Sequence, residues 1–149
     1  MEGALIREAR EDDIAQILAL YREAGIESEE SFTVEEARAQ LAVFRQYPRY
    51  FLFVAELEGG IAGTYELLIM DNLAKHGRRS GIVENVAVSP RYQGQGIGRA
   101  MMLHAMKQCK DAGCYKLTLS SNLNRTGAHA FYEAIGFQRH GYSFRVVIE

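Results

Sequence analysis

Only two cysteines occur among 149 residues, Cys109 and Cys114. Their spacing of five is neither a zinc nor a redox motif, and so few thiols fit a reducing compartment. Charge of one sign is scarce too. Seventeen Lys+Arg against 19 Asp+Glu leave a net −2, so no global field favours nucleic acid or an anionic membrane. No apolar run nears the roughly 20 residues that a membrane-crossing helix needs. The opening residues turn charged within a few positions, unlike a secretory signal. Repeats, low-complexity tracts and linkers are missing. The four histidines, His76, His104, His129 and His140, share no ligand spacing, so no metal is expected. These absences predict a cytoplasmic protein with no metal, nucleic-acid or membrane partner. Oligomeric state stays open, a homodimer included.

What is present fits one domain over 1–149, with 48% hydrophobic and 24% charged residues. A chain of this size buries roughly 70% of its unfolded surface. A first strand is expected over 4–10, with Asp12 or Asp13 as N-cap of a helix carrying Ile14, Ile17, Leu18 and Tyr21. Thr33 and Glu36 have capping-box spacing before a stripe of Val34, Ala37, Leu41 and Phe44. Residues 50–57 and 61–70 read as a hairpin around Glu58-Gly59-Gly60. A polar loop over 71–80 precedes a strand over 81–88, where alternation puts Ile82, Glu84, Val86 and Val88 on one face and Val83, Asn85 and Ala87 on the other. A helix over 97–112, a strand over 115–120, a helix over 126–135 and a last strand over 137–148 complete the chain. The order β-α-α-β-β-β-α-β-α-β is that of an α+β domain.

The most informative stretch is Gln93-Gly94-Gln95-Gly96-Ile97-Gly98-Arg99, between a strand and a helix. A helix N-terminus has unpaired amides and partial positive charge, which attract phosphate. Glycines at 94, 96 and 98 let those amides curl inward and an anion approach closely. A P-loop would need Gly-Lys-Ser/Thr where Gly98-Arg99-Ala100 stands. A dinucleotide fingerprint would need a small residue at Arg99. A glycine-rich connection with no ligand is the plain alternative.

Gln93 to Gly98, following a Val-x-Pro, resembles the Gln/Arg-x-x-Gly-x-Gly/Ala signature of the Gcn5-related N-acetyltransferase (GNAT) family. A second block agrees: Ser121 to Phe137 holds that family's Phe-Tyr-x-x-x-Gly-Phe as Phe131 to Phe137. The two blocks cover over a third of the chain. The pattern resembles the branch that includes aminoalkylphosphonate acetyltransferases. It departs where many members place Asn seven residues before the tyrosine. Arg125 stands there, so either Asn122 or Asn124 could meet the cofactor.

The resemblance implies an acyl-CoA N-acyltransferase fold, with a mixed six- to seven-stranded sheet flanked by four helices, and acetyl-CoA as co-substrate. Its pyrophosphate would meet the 93–99 turn. Its pantetheine arm would pair with backbone that a β-bulge frees around Val86, Ala87 and Val88. Such an amide could also stabilise an oxyanion. An alkylamine of pKa near 10.4 is neutral in about one molecule per thousand at pH 7, so a base helps. Glu84 is the candidate, or an acidic residue at a strand end; Glu66 is a rival. Tyr132 is implied as the acid for the leaving thiolate, against a plain packing role. His129, three residues before Tyr132, is expected to have a structural role or to lie near the adenine or phosphates. His104, Cys109 and Cys114 are read as packing groups. Arg99 could reach a CoA phosphate, and Lys75, Arg78 and Arg79 form either a soluble loop or a basic lip. Three functions stay open: acetylation of a small amine, acetylation of a protein amine, and an acyl-CoA sensor without turnover. Acceptor recognition is assigned to the first two helices, residues 25–31, the 71–80 loop and the last strand.

Overall fold

A computed structural model describes residues 3–27 and 32–148. Of the segment 25–31 assigned to the acceptor, residues 28–31 lie outside them. The chain divides into two compact units, Met1–Thr118 and Leu119–Glu149, each described by itself.

The first unit is built on a sheet in the order β1-β2-β3-β4-β5. Its strands are β1 (Leu5–Glu8), β2 (Tyr50–Leu57), β3 (Gly60–Met70), β4 (Arg79–Val88) and β5 (Cys114–Leu119), the last ending at the boundary. The pairs β1–β2, β2–β3 and β3–β4 are antiparallel. A helical crossover, α3 (Ile97–Asp111), carries the chain from β4 to β5, the kind of connection that parallel neighbours need. Two further helices, α1 (Ile14–Glu23) and α2 (Val34–Phe44), precede the hairpin.

Apolar periodicity decides which helix covers which face. Ile14, Ile17, Leu18 and Leu20 of α1 and Ala37 and Leu41 of α2 form one cluster with Leu52, Val54, Ile61 and Ala87 of the sheet. Ile97, Met101, Met102, Ala105 and Cys109 of α3 are buried too. α3 covers the opposite face: a Cβ on Gly63 would stand 3.0 Å from Ile97, and one on Gly81 would collide with Cys109. The capping box at α2 is present, with Glu36 N donating to Thr33 Oγ1 (3.1 Å) and Thr33 N to Glu36 Oε1 (3.2 Å).

Four expectations need correction. The sheet has five strands among the described residues, not six or seven. Residues 137–148 alternate like a strand but join no ladder among the described residues, and Tyr142, Phe144 and Ile148 stand 85–91% exposed. Alternation is a local property, whereas a strand also needs a partner edge. The first strand is shorter than expected, Leu5–Glu8. Asp13 precedes α1 but does not cap it through its side chain. Its carboxylate accepts from Arg10 N (2.7 Å) and takes a two-pronged contact from Arg7 (2.7 and 3.0 Å).

That contact yields a prediction. Burial pushes the Asp13 carboxyl up, but hydrogen bonds from Arg7 and Arg10 outweigh it and hold the group below the ordinary range. Its stabilising effect is therefore complete above the unfolded value of about 3.9 and is lost as the pH falls through the lower folded value. Asp13→Asn is expected to cost about 2 kcal/mol at pH 7. Denaturant titrations at pH 7 and pH 3 check this, with the gap between wild type and variant shrinking at the lower pH.

Candidate functional site

β4 does not run straight. Glu84 faces Glu66 and Ala87 faces Thr64, so Asn85 and Val86 together oppose Tyr65 alone. This is a β-bulge, and Asn85 makes it by adopting a left-handed φ of 51°. The extra residue resets the alternation. Glu84 shares the α1/α2 face with Glu66 and Ala87, while Val88, opposite Gly63, turns to the α3 face with Val86. The expectation that Glu84, Val86 and Val88 share a face is thus wrong, as is the grouping of Val83 with Ala87.

The bulge also orients backbone. Ser89 N bonds Ala62 O (2.7 Å). Hydrogen-bonded and non-hydrogen-bonded pairs alternate along an antiparallel ladder, so the Gly63–Val88 pair is of the second kind. The N–H and C=O of Val88 point away from β3.

Glu66 sits deep, 9% exposed, with three donors. Tyr50 OH and Asn85 Nδ2 both reach Oε2 at 3.1 Å, and Tyr21 OH reaches Oε1 at a long 3.5 Å. Burial pushes this carboxyl up, against the lowering effect of the Asn85 and Tyr50 hydrogen bonds. Burial likewise pushes the Tyr50 phenol up to about 12, with the Glu66 charge adding to it. Glu84, directly across the ladder, is exposed. Among the described residues no cation pairs with either carboxylate.

Beyond Val88 the chain makes a single turn, Pro90–Tyr92, capped by Ser89 Oγ accepting from Arg91 N (3.3 Å). Gln93 is extended, and Gly94 and Gly96 take left-handed φ values of 78° and 80°. Gly96 is the N-cap of α3. Only glycine holds such angles cheaply, and a Cβ at either position would meet nothing within 4 Å. The first amide of the helix that finds an acceptor is Ala100 N, on Gly96 O (2.9 Å). Among the described residues no acceptor meets the amides of Gly94, Gly96, Ile97, Gly98 or Arg99. Free donors at a helix start with open space before them fit a diphosphate. Gln93, Gln95 and Arg99 are exposed around this turn.

In the second unit, α4 (Thr126–Ala134) carries Tyr132. The Tyr132 ring meets Phe131 and Phe137 edge-on, at 5.2 and 5.7 Å. Burial pushes its phenol up, with Arg125 opposing. Asn122 is engaged locally: its Oδ1 accepts from Asn124 N (2.9 Å), and its carbonyl meets His129 Nε2 (2.8 Å). His129 is therefore a brace for this turn.

Other groups have structural partners. His104 packs edge-on against Phe53 and bonds Tyr65 OH at 2.7 Å. Burial, with Cys114 beside it, pushes the Cys109 thiol up to about 12, which opposes a nucleophilic role. Arg79 ties Asp71 to the carbonyl of Ala112. A shallow cavity of about 550 Å³, lined by Arg78, Lys110, Tyr115 and Lys116, lies at the far end of α3 from the glycine turn.

Comparison with known proteins agrees with this geometry. The sequence profile described as "Acetyltransferase (GNAT) family" matches residues 12–137. A glucosamine 6-phosphate N-acetyltransferase from Trypanosoma brucei brucei is 33% identical over 64% of this chain and 63% of its own length. A thialysine N-epsilon-acetyltransferase from Bos taurus is 31% identical over 93% of this chain and 86% of its own. The first three curated relatives are matched over 63%, 52% and 38% of their lengths. Among solved structures, a protein from Agrobacterium tumefaciens str. C58 assigned as an acetyltransferase superposes with TM-score 0.90. It is 32% identical, over 97% of this chain and 99% of its own. The chain belongs to the GNAT acetyltransferase family.

Sequence reasoning missed the left-handed turn of β4 at Asn85 and the buried contacts of Glu66. The available signal was an Asn, a residue tolerant of left-handed backbone, inside a run of branched strand formers. At Gly94 and Gly96, substitution by Ala is expected to cost about 1 kcal/mol each, the left-handed penalty. Denaturant unfolding of the two variants measures it.

Proposed function

We propose that the protein is an acetyl-CoA-dependent N-acetyltransferase acting on a primary amine, with a small-molecule amine as acceptor. One observation carries this reading. A family member presents unpartnered amides at a glycine turn opening α3, directly after a bulged strand. The family match crosses both compact units, which supports one N-acetyltransferase domain over 1–149.

In this reading the amides from Gly94 to Arg99 receive the pyrophosphate, with Gln93 and Gln95 beside it. The outward backbone of Val88, with Val86 beside it, pairs with the pantetheine arm, while Ala87, paired with Thr64, turns its own backbone toward β3. Asn124 is the better cofactor contact, since Asn122 spends its side-chain oxygen on the local turn. The amine nitrogen attacks the thioester carbonyl, forming C–N as C–S breaks. Glu84, exposed beside the bulge, takes the amine proton through water, and Tyr132 gives its proton to the leaving thiolate. A phenol is protonated at neutral pH, as a donor must be, and burial pushes this one further up.

An exposed carboxylate with no paired cation among the described residues, Glu84, supports a cationic amine head on the acceptor. Relatives named for glucosamine 6-phosphate, thialysine and aminoglycoside amines support a small molecule, and one named for the alanine of ribosomal protein bS18 supports the protein alternative. They do not single out the aminoalkylphosphonate branch. The scarcity of thiols supports a cytoplasmic setting.

The test is thiol release from acetyl-CoA across an amine library. Tyr132→Phe is expected to lower kcat/KM about a hundredfold, the usual scale of a lost general acid. Glu84→Gln is expected to flatten the rise of rate with pH while leaving CoA binding intact. Tight CoA binding with no turnover on any amine would favour a sensor. Turnover only on peptides would favour a protein acetyltransferase.

A further inference from the structure

The geometry points to Glu66 as a positioning residue that holds the β4 bulge in shape through Asn85, and so sets the affinity for the CoA arm. The inference rests on the acetyltransferase reading for its functional consequence, and on the bulge itself for its structural one.

A left-handed residue inside a strand is unfavourable for any side chain but glycine, and Asn tolerates it chiefly when its short amide finds a local partner. Asn85 finds none on its own backbone. Its Nδ2 reaches across the ladder to Glu66 Oε2 at 3.1 Å. Glu66 is the cross-strand partner of Glu84, the residue just before the bulge, so the tether spans the register break itself.

Glu66 is in turn fixed from two other elements. Tyr50 of β2 donates to the same oxygen at 3.1 Å, and Tyr21 of α1 stands 3.5 Å from the other. A nearly buried carboxylate served only by neutral donors is expensive to keep. A plain hydrophobe would pack against the Leu52 and Val54 side of the sheet more cheaply. The arrangement makes sense as a clamp: α1 and β2 locate Glu66, and Glu66 locates the Asn85 amide. The Asn85 backbone then decides where Val86 and Val88 aim their peptide groups. Nothing in this chain of contacts requires Glu66 to touch the reacting atoms.

The competing role is electrostatic, with the Glu66 charge itself binding or deprotonating the amine. The two separate cleanly. Gln at position 66 keeps an acceptor for Asn85 and Tyr50 and loses the charge. Leu loses both. Gly at position 85 needs no tether for its φ.

The experiment measures CoA affinity by calorimetry, without acceptor, for Glu66→Gln, Glu66→Leu, Asn85→Ala, Asn85→Gly and the double variant Glu66→Leu/Asn85→Gly. The φ-dependent NMR coupling of residue 85 is read on the same samples. Asn85→Ala and Glu66→Leu are expected to weaken CoA about tenfold, the size of an unsupported left-handed residue. Glu66→Gln and Asn85→Gly stay within about threefold, and the double variant recovers to that level. Asn85→Ala leaves the buried carboxylate in place, so the clamp is tested even where Glu66→Leu fails to fold. Equal losses for Glu66→Gln and Glu66→Leu would overturn the proposal, as would no difference between Asn85→Ala and Asn85→Gly. A wild type that binds no CoA would instead sink the acetyltransferase reading, while the coupling at residue 85 still decides the clamp.

Discussion

One residue with a positive φ, Asn85, sets the facing of β4. A regular β4 would keep Glu84, Val86 and Val88 on a single face. The bulge divides them. The carboxylate goes to the face covered by α1 and α2, where an acceptor would be read. The two valines go to the face covered by α3, the helix whose first turn leaves its amides free. A one-residue insertion thereby puts the proposed base and the proposed pantetheine contacts on opposite faces at neighbouring positions of one strand.

The carboxylates on the acceptor face are unequal. Glu84 and Glu66 oppose each other across the ladder, an arrangement that like charges ordinarily disfavour. Glu66 is nearly buried and held by three donors, whereas Glu84 is exposed and free of side-chain partners among the described residues. Two acids of the same type thus stand in different environments on one face, which is what the proposed division between clamp and base rests on.

What could be read from the chain were its local signals. The Thr33–Glu36 capping box, the turn at Glu58-Gly59, the buried stripe of α3 and the glycines opening it each depend on residues a few positions apart, and each is present. The facing of β4 was not legible, because a single left-handed residue shifts the period and leaves composition unchanged. The last strand was misread for a related reason: Tyr142, Phe144 and Ile148 carry the alternation, but pairing depends on a distant partner. The contacts of Glu66 with Tyr21, Tyr50 and Asn85 span 45, 16 and 19 positions, beyond any pattern in the sequence. The family motifs pointed to the glycine turn that opens α3, and the structure shows free amides there.

The central claim is that the free amides at the start of α3 bind a diphosphate-bearing acyl carrier. An amide-resolved NMR titration with CoA tests it most directly. The account predicts that the amide resonances of Gly94, Gly96, Ile97 and Gly98 move together and saturably, with Val86 and Val88 following. Saturable binding that leaves those amides unmoved, or shifts confined to the basic cavity at the other end of α3, would contradict it.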